Sequence, residues 1–168
     1  MGLASEFKLR IVFMIILMTA IVLAYLLSLD LTSSKKILVL IYDHGNIAVN
    51  TIRAKLGTIT DNFIVRKDER SEMRLCQLLL NLNATLPVAI LLKENEVLAV
   101  IIGVPSDNFW EQIMERINSS ESAFLAFSVR EELLPWRCVS CPPHGRLIEG
   151  VRGLSEKEVE GIRSIIGA

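Results

Sequence analysis

The chain has little cysteine and little histidine. Its three cysteines (Cys76, Cys138 and Cys141) are too few for the disulfide framework of a small secreted scaffold, and only the last two lie close in sequence. An excess of charge of one sign is also missing, because the net charge is -1 and no basic run occurs. The composition therefore argues against a nucleic-acid partner.

Charged residues are absent from one long stretch, residues 11–29, in which only Thr19 and Ser28 are clearly polar. At about 1.5 Å rise per residue, a helix of this length just crosses a hydrocarbon core of about 30 Å. We therefore expect one transmembrane helix over residues 11–29, in contact with membrane lipid. A cleaved signal peptide is the alternative, but the stretch exceeds the usual apolar region of about 7–15 residues.

The charges that flank this stretch predict its orientation. Lys8 and Arg10 precede it and Asp30 follows it, so the positive-inside rule favours a cytoplasmic N-terminus. The expected location is the cell membrane, with a single pass and an extracytoplasmic domain. Residues 1–10 would form a tail and residues 30–36 a linker, which leaves enough chain for one domain with one core.

Beyond the linker, apolar periodicity predicts alternating strands and helices. A continuous apolar run predicts a buried strand, near-helical spacing predicts a helix, and two runs separated by four polar residues predict an antiparallel hairpin. One predicted helix presents Met73, Cys76, Leu79 and Leu80 on one face, which makes Cys76 a buried small hydrophobe. The predicted order is β-α-β-α-β-β-α, with strands at Ile37–Tyr42, Asn62–Arg66, Val88–Leu92 and Val97–Ile102 and the last helix carrying Phe109 to Ile117.

This order resembles the thioredoxin fold. Leu86-Pro87 opens the hairpin, Lys93 to Glu96 forms its turn, and Gly103 precedes the last helix with spacing similar to that of the family. The resemblance covers residues 37–117 and implies an α/β fold, with a thioredoxin-like mixed sheet flanked by helices. It also implies a cis peptide bond between Leu86 and Pro87.

The redox motif of that family is missing. Cys-x-x-Cys belongs where the first strand enters the first helix, and this sequence has Tyr42-Asp43-His44-Gly45-Asn46 there. Thiol chemistry needs a thiolate and a resolving thiol, so the usual activity does not carry over to this position. Asp43 and His44 then have two interpretations: acid/base groups or ligands beside Pro87, or turn and capping residues that form local hydrogen bonds.

Residues 118–168 form a C-terminal extension that we expect to pack on the domain. Ala123 to Val129 predicts an extra strand at an edge. Cys138 and Cys141 lie in a proline-rich loop, and three roles are open to them. They are a catalytic redox pair, a structural disulfide, or zinc ligands together with His144. Ser155 and Glu158 predict a capping box that begins a final helix.

These observations lead to one main functional prediction and two alternatives. The main prediction is a membrane-anchored, non-catalytic binding or assembly module that holds a protein or peptide partner through Pro87, His44 and Asp43, without a cofactor. The first alternative is a thiol-disulfide oxidoreductase that uses Cys138 and Cys141. The second is a structural protein that binds zinc.

Overall fold

The computed structural model describes residues 14–23, 37–45, 48–119, 122–133 and 145–167. The chain divides into two compact units, Met1–Lys36 and Ile37–Ala168. In the first unit, residues 14–23 are helical and form α1.

The transmembrane helix predicted over residues 11–29 is wrong. In the part of the chain that the structure describes, no helix is both long enough and apolar enough to cross a bilayer. Residues 14–23 rise about 15 Å as a helix, which is half of a hydrocarbon core of about 30 Å. The predicted single-pass membrane location rested on this helix and is corrected with it; residues 11–13 and 24–29 lie outside the described residues.

The second unit is a mixed α/β domain in which six strands form one sheet. A short 3-10 helix, Glu131–Leu133, follows the fifth strand. The other elements, in chain order, are β1 (Ile37–Tyr42), α2 (Val49–Leu56), β2 (Phe63–Arg66), α3 (Glu69–Leu80), β3 (Val88–Lys93), β4 (Glu96–Gly103), α4 (Asp107–Ser119), β5 (Phe124–Arg130), β6 (Leu147–Gly153) and α5 (Glu156–Ile166). The predicted order β-α-β-α-β-β-α is therefore present from β1 to α4.

The strand order across the sheet is β2-β1-β3-β4-β5-β6. β1 pairs with β2 and β4 pairs with β5 in parallel, whereas the pairs β1–β3, β3–β4 and β5–β6 are antiparallel. Four strands (β1, β2, β4 and β5) thus point the same way. Consequently, the chain leaves β1 and β4 at one end of the sheet, and it enters β3 at that same end.

The two faces of the sheet have separate cores. Alternate residues of each central strand point to opposite faces, so both faces are apolar, as the continuous apolar runs predicted. One face packs against α2 and α4, and its core includes Ile52, Trp110 and Ile113. The other packs against α3 and α5, with Leu75 and Ile162 in its core.

The two parallel crossovers, β1–α2–β2 and β4–α4–β5, have opposite hands. They begin at strands that point the same way and move in opposite directions across the sheet, yet α2 and α4 cover the same face. One of them is therefore left-handed, a form taken by only about 2% of such connections.

Four local expectations can be compared with this fold. The capping box at Ser155 and Glu158 is confirmed, because each side chain accepts from the backbone N–H of the other. The cis bond at Pro87 is wrong, since no described peptide bond is cis. The strand predicted at an edge, β5, is internal because β6 pairs along its outer side. Met73 is partly exposed, and Glu72 and Leu75 take places on the buried face of α3.

Candidate functional site

The first candidate site lies where β1 leaves the sheet. His44 follows β1, and its Nδ1 lies 2.9 Å from Oε2 of Glu72 on α3. The backbone N–H of His44 donates to the same Oε2 at 3.3 Å. The Glu72 side chain is 1% exposed and the His44 side chain 45% exposed. A buried carboxylate oxygen therefore accepts from both the backbone and the half-exposed imidazole of His44; we name Glu72 and His44 together the first junction.

Asp43 is committed to the backbone. Its Oδ1 accepts from the N–H of Gly45 at 3.0 Å, and its Oδ2 accepts from the N–H of Ala48 at 2.9 Å. The residue is buried, and Ala48 directly precedes α2. Both oxygens of Asp43 thus organise the turn that begins α2, which leaves the carboxylate little capacity to contact a ligand.

The electrostatics of the first junction favour a proton on the pair. Burial raises the pKa of Glu72 above its ordinary value, and the hydrogen bond and charge of His44 oppose that rise. The hydrogen bond to Glu72 raises the pKa of His44, and the negative charge of Glu72 adds to the effect. With Nδ1–H donating to Glu72, the other ring nitrogen, Nε2, has no hydrogen-bond partner among the described residues.

A thiol lies one helical turn from Glu72 but is sealed in the core. Cys76 is fully buried, and its Sγ donates to the carbonyl oxygen of Leu86 at 3.9 Å. Burial raises the pKa of the Cys76 thiol to about 11. Because the thiolate is the nucleophile and the metal ligand, a thiol in this state is unreactive. The interpretation of Cys76 as a buried hydrophobe is confirmed.

Pro87 lies at the same end of the sheet as the first junction. Tyr42 pairs with Val88, so the chain leaves β1 and enters β3 side by side. The carbonyl oxygen of Pro87 accepts from the N–H of Gly103 at 2.8 Å. This hydrogen bond ties the loop before β3 to the end of β4, and a ligand could use this carbonyl only through its second lone pair.

A second carboxylate has a similar setting where β4 leaves the sheet. Glu149 of β6 accepts from the backbone N–H of Ser106 through Oε1 and from Ser106 Oγ through Oε2, both at 2.7 Å. Ser128 Oγ lies 3.0 Å from Glu149 Oε1 and 3.1 Å from the carbonyl oxygen of Val104. We name Glu149, Ser106 and Ser128 the second junction. It fastens β6 to the residue that precedes α4.

The sequence pattern indicates His44, Asp43 and Pro87 as site residues, but it does not indicate Glu72 or the second junction. A usable signal for Glu72 was present, because Glu72 lies four residues before Cys76 on the apolar face of the predicted helix. A charged residue on such a face requires a partner. The partners of Glu149 come from two distant segments, and no local pattern indicates such a contact.

Cys138, Cys141 and His144 lie outside the described residues, so the redox, disulfide and zinc interpretations remain predictions. Within the described ranges, no group of three or more histidine, cysteine or acidic side chains could hold a metal ion.

The first junction can therefore donate or accept a hydrogen bond through one oriented imidazole nitrogen, and the thiol described near it, that of Cys76, is unreactive. It is the part of the described domain in which a titratable, half-exposed side chain is held by a buried one. Comparison with protein-family models, with curated proteins and with solved structures finds no match to this chain.

Proposed function

We propose that this protein is a non-catalytic binding module that holds a protein or peptide partner at the end of the sheet where β1 and β3 meet, and that the imidazole of His44 makes the central polar contact. The observation that carries the proposal is the His44–Glu72 pair. A carboxylate behind the imidazole fixes its tautomer and orientation, so Nε2 faces a partner without first losing rotational freedom.

Two features favour binding over thiol chemistry at this position. The segment from Tyr42 to Gly45 contains no cysteine, and the nearest thiol along α3 is that of Cys76, whose pKa is raised to about 11. The element order and the hairpin after Pro87 support a thioredoxin-like fold for the domain. The trans bond at Pro87 departs from that resemblance, so we assign the contact to His44 rather than to the backbone beside Pro87.

The test is a peptide selection on the wild-type full chain alone, after which the selected peptides are titrated against the variants. We expect selected peptides to bind the wild-type protein and to lose about tenfold or more in affinity to His44→Ala in calorimetric titrations, as expected for a hydrogen bond at a pre-oriented group. Glu72→Gln, which leaves the imidazole in place but changes its support, should give a smaller loss. Lys157→Ala, an exposed change on α5, is the matched control.

Two outcomes would contradict the proposal. Peptides that bind wild type and His44→Ala equally would show that the site lies elsewhere. Turnover of insulin disulfides by the wild-type protein, abolished in Cys138→Ser, would instead favour the oxidoreductase.

A further inference from the structure

The sheet ends in β2 on one side and in β6 on the other, and β6 has the longer open edge. Among the described residues, neither strand has a neighbour on its outer side. β2 spans four residues, and shortness is one of the features that protect an edge from pairing with another chain. β6 spans seven residues, of which the middle five are partly exposed. β6 is therefore the larger surface for the addition of a strand.

The hydrogen-bond pattern shows which backbone groups of β6 face outward. The N–H of Glu131 donates to the carbonyl oxygen of Arg146, and the N–H of Leu154 donates to that of Ala123. In an antiparallel pair, residues that bond to the neighbouring strand alternate with residues that bond away from it. By this alternation, four residues of β6 direct their N–H and C=O groups to the open edge: Leu147, Glu149, Val151 and Gly153.

The two charged residues of β6 do not protect this edge. Natural edge strands often carry charged side chains that keep another chain away. The carboxylate of Glu149 instead accepts hydrogen bonds within the second junction. The guanidinium of Arg152 donates to Glu158 and to the carbonyl oxygen of Gly153, which keeps a second lone pair. Both charges are therefore engaged within the domain.

One register pairs β6 along its full length with a second β6. Antiparallel pairing about Gly150 of both copies places each end of the strand opposite the other end. It also brings outward-facing residues opposite outward-facing residues, as hydrogen bonding between two open edges requires. Glu149 of one copy then lies opposite Val151 of the other, and Arg152 lies opposite Ile148. No two like charges on β6 are directly opposed in this register, so it avoids the repulsion that destabilises such pairs.

The side-chain volumes along β6 fit the same register. Leu147, which is 44% exposed, lies opposite Gly153 of the second copy. A Cβ at Gly153 would meet no atom within 4 Å, so the leucine side chain has room there. At the centre of the register, Gly150 is covered by the ring of Phe127, whose Cζ lies 2.6 Å from the position of a Cβ at Gly150. An aromatic ring over a glycine is a known device for stabilising edge strands.

We propose that this protein forms a two-fold dimer through β6, in which two sheets join edge to edge into one continuous sheet. The occupant of the edge is a second copy because β6 is complementary to itself in backbone pattern, charge and side-chain volume. A two-fold axis between the two Gly150 residues lets one surface supply both halves of the interface. Three strands separate β1 from β6, so this pairing does not involve the first junction.

The first test is disulfide trapping of the full chain in a Cys138→Ser, Cys141→Ser background. Leu147→Cys and Gly153→Cys are made as separate variants and mixed under mild oxidation. In the proposed register the two substituted positions are directly opposite, at a Cα–Cα distance of about 5.5 Å that a disulfide spans. Two copies of the same variant hold their thiols about 20 Å apart. The mixture should therefore form disulfide-linked dimers, and each variant alone should not.

The second test measures the dimer dissociation constant by analytical ultracentrifugation. Val151→Pro removes one outward N–H that β5 does not use, a position at which an edge strand tolerates proline. Leu147→Lys places a charge where the leucine packs. Each change should weaken the dimer by about tenfold or more, while circular dichroism shows an unchanged fold. Ile64→Lys, at an apolar residue of β2 that is also 44% exposed, is the matched control and should leave the dimer unchanged.

Three outcomes would overturn the proposal. If either cysteine variant alone formed linked dimers as readily as the mixture, the two strands would not pair in the register about Gly150. A dimer that Val151→Pro and Leu147→Lys leave as strong as Ile64→Lys does would be formed through a different surface. A wild-type protein that stays monomeric at the highest concentration reached would show that the edge does not bind a second copy.

Discussion

The two junctions at one end of the sheet share a geometry but differ in chemistry. In each, a glutamate from another element accepts the backbone N–H of a residue that lies between a strand and a helix, and also a side-chain donor of that residue. The donor is the imidazole of His44 in the first junction and the hydroxyl of Ser106 in the second. An imidazole titrates near neutral pH, whereas a serine hydroxyl does not. The same backbone arrangement therefore gives a hydrogen bond from a titrating donor after β1 and a hydrogen bond from a donor that does not titrate after β4.

The largest loss of stability is expected at Gly103, which lies against Ser128 of the second junction. Gly103 ends β4 with φ of +83°, and a Cβ there would lie 1.9 Å from the carbonyl oxygen of Ser128. Gly103→Ala should therefore lower the free energy of unfolding by about 3 kcal/mol or more, measured by urea denaturation.

The matched control for that change is Gly153→Ala. A Cβ at Gly153 meets no atom within 4 Å, so the change should stay within about 0.5 kcal/mol of wild type. Equal effects at the two glycines would show that β4 and β5 are not as close at this point as the structure places them.

Removal of the carboxylate of the second junction should have the next largest effect. Glu149→Ala leaves the Ser106 N–H, the Ser106 hydroxyl and the Ser128 hydroxyl without this acceptor. We expect a loss of about 2 kcal/mol in the free energy of unfolding, since charged acceptors make the stronger hydrogen bonds. Glu111→Ala, on the exposed side of α4, is the control and should be nearly neutral. A loss in the free energy of unfolding no larger than that of the control would mean that β6 is held by its pairing with β5 alone.

Much of the fold could be predicted from local patterns, but the junctions could not. The apolar runs of β1, β3 and β4 identify central strands because a strand buried on both faces carries little else. β6 was missed because its sequence, Leu147 to Gly153, mixes two glycines, two charged residues and apolar residues, as an edge strand allows. The apolar residues 11–29 led to the wrong prediction of a transmembrane helix. A run of apolar residues indicates burial or lipid contact but does not fix the length of a helix.

A third carboxylate, that of Glu158, has its pKa shifted in the direction opposite to that of Glu72. Glu158 of α5 is 18% exposed and faces the guanidinium of Arg152, whose hydrogen bonds lower the pKa of Glu158 to about 2. Arg152→Gln should raise that pKa toward its ordinary value and reduce stability by about 1 kcal/mol at neutral pH. NMR titration of the Glu158 carboxyl carbon measures the pKa directly.

The pH dependence of this effect has a definite sign. A folded-state pKa below the unfolded value stabilises the fold above pH 4.5, and that contribution is lost as pH falls through about 2. The stability difference between wild type and Arg152→Gln should therefore shrink on acidification. A difference that grows at low pH would contradict the assignment of Arg152 as the cause.

The smallest effect, and the one that tests the comparison most directly, belongs to His44. Because the hydrogen bond to Glu72 raises the pKa of His44 above 6.5, the pair stabilises the fold fully below that pH, and this contribution is lost as pH rises through the raised pKa. The stability difference between wild type and His44→Asn, followed by thermal denaturation, should thus narrow as the pH rises above 6.5 and through the raised pKa. In Glu72→Gln, an NMR titration of the His44 ring should give a pKa nearer 6.5, and the pH-dependent part of the difference should disappear. A ring pKa that does not change on loss of the Glu72 charge would mean that the imidazole is not coupled to the buried carboxylate. The two junctions would then not differ in their dependence on pH.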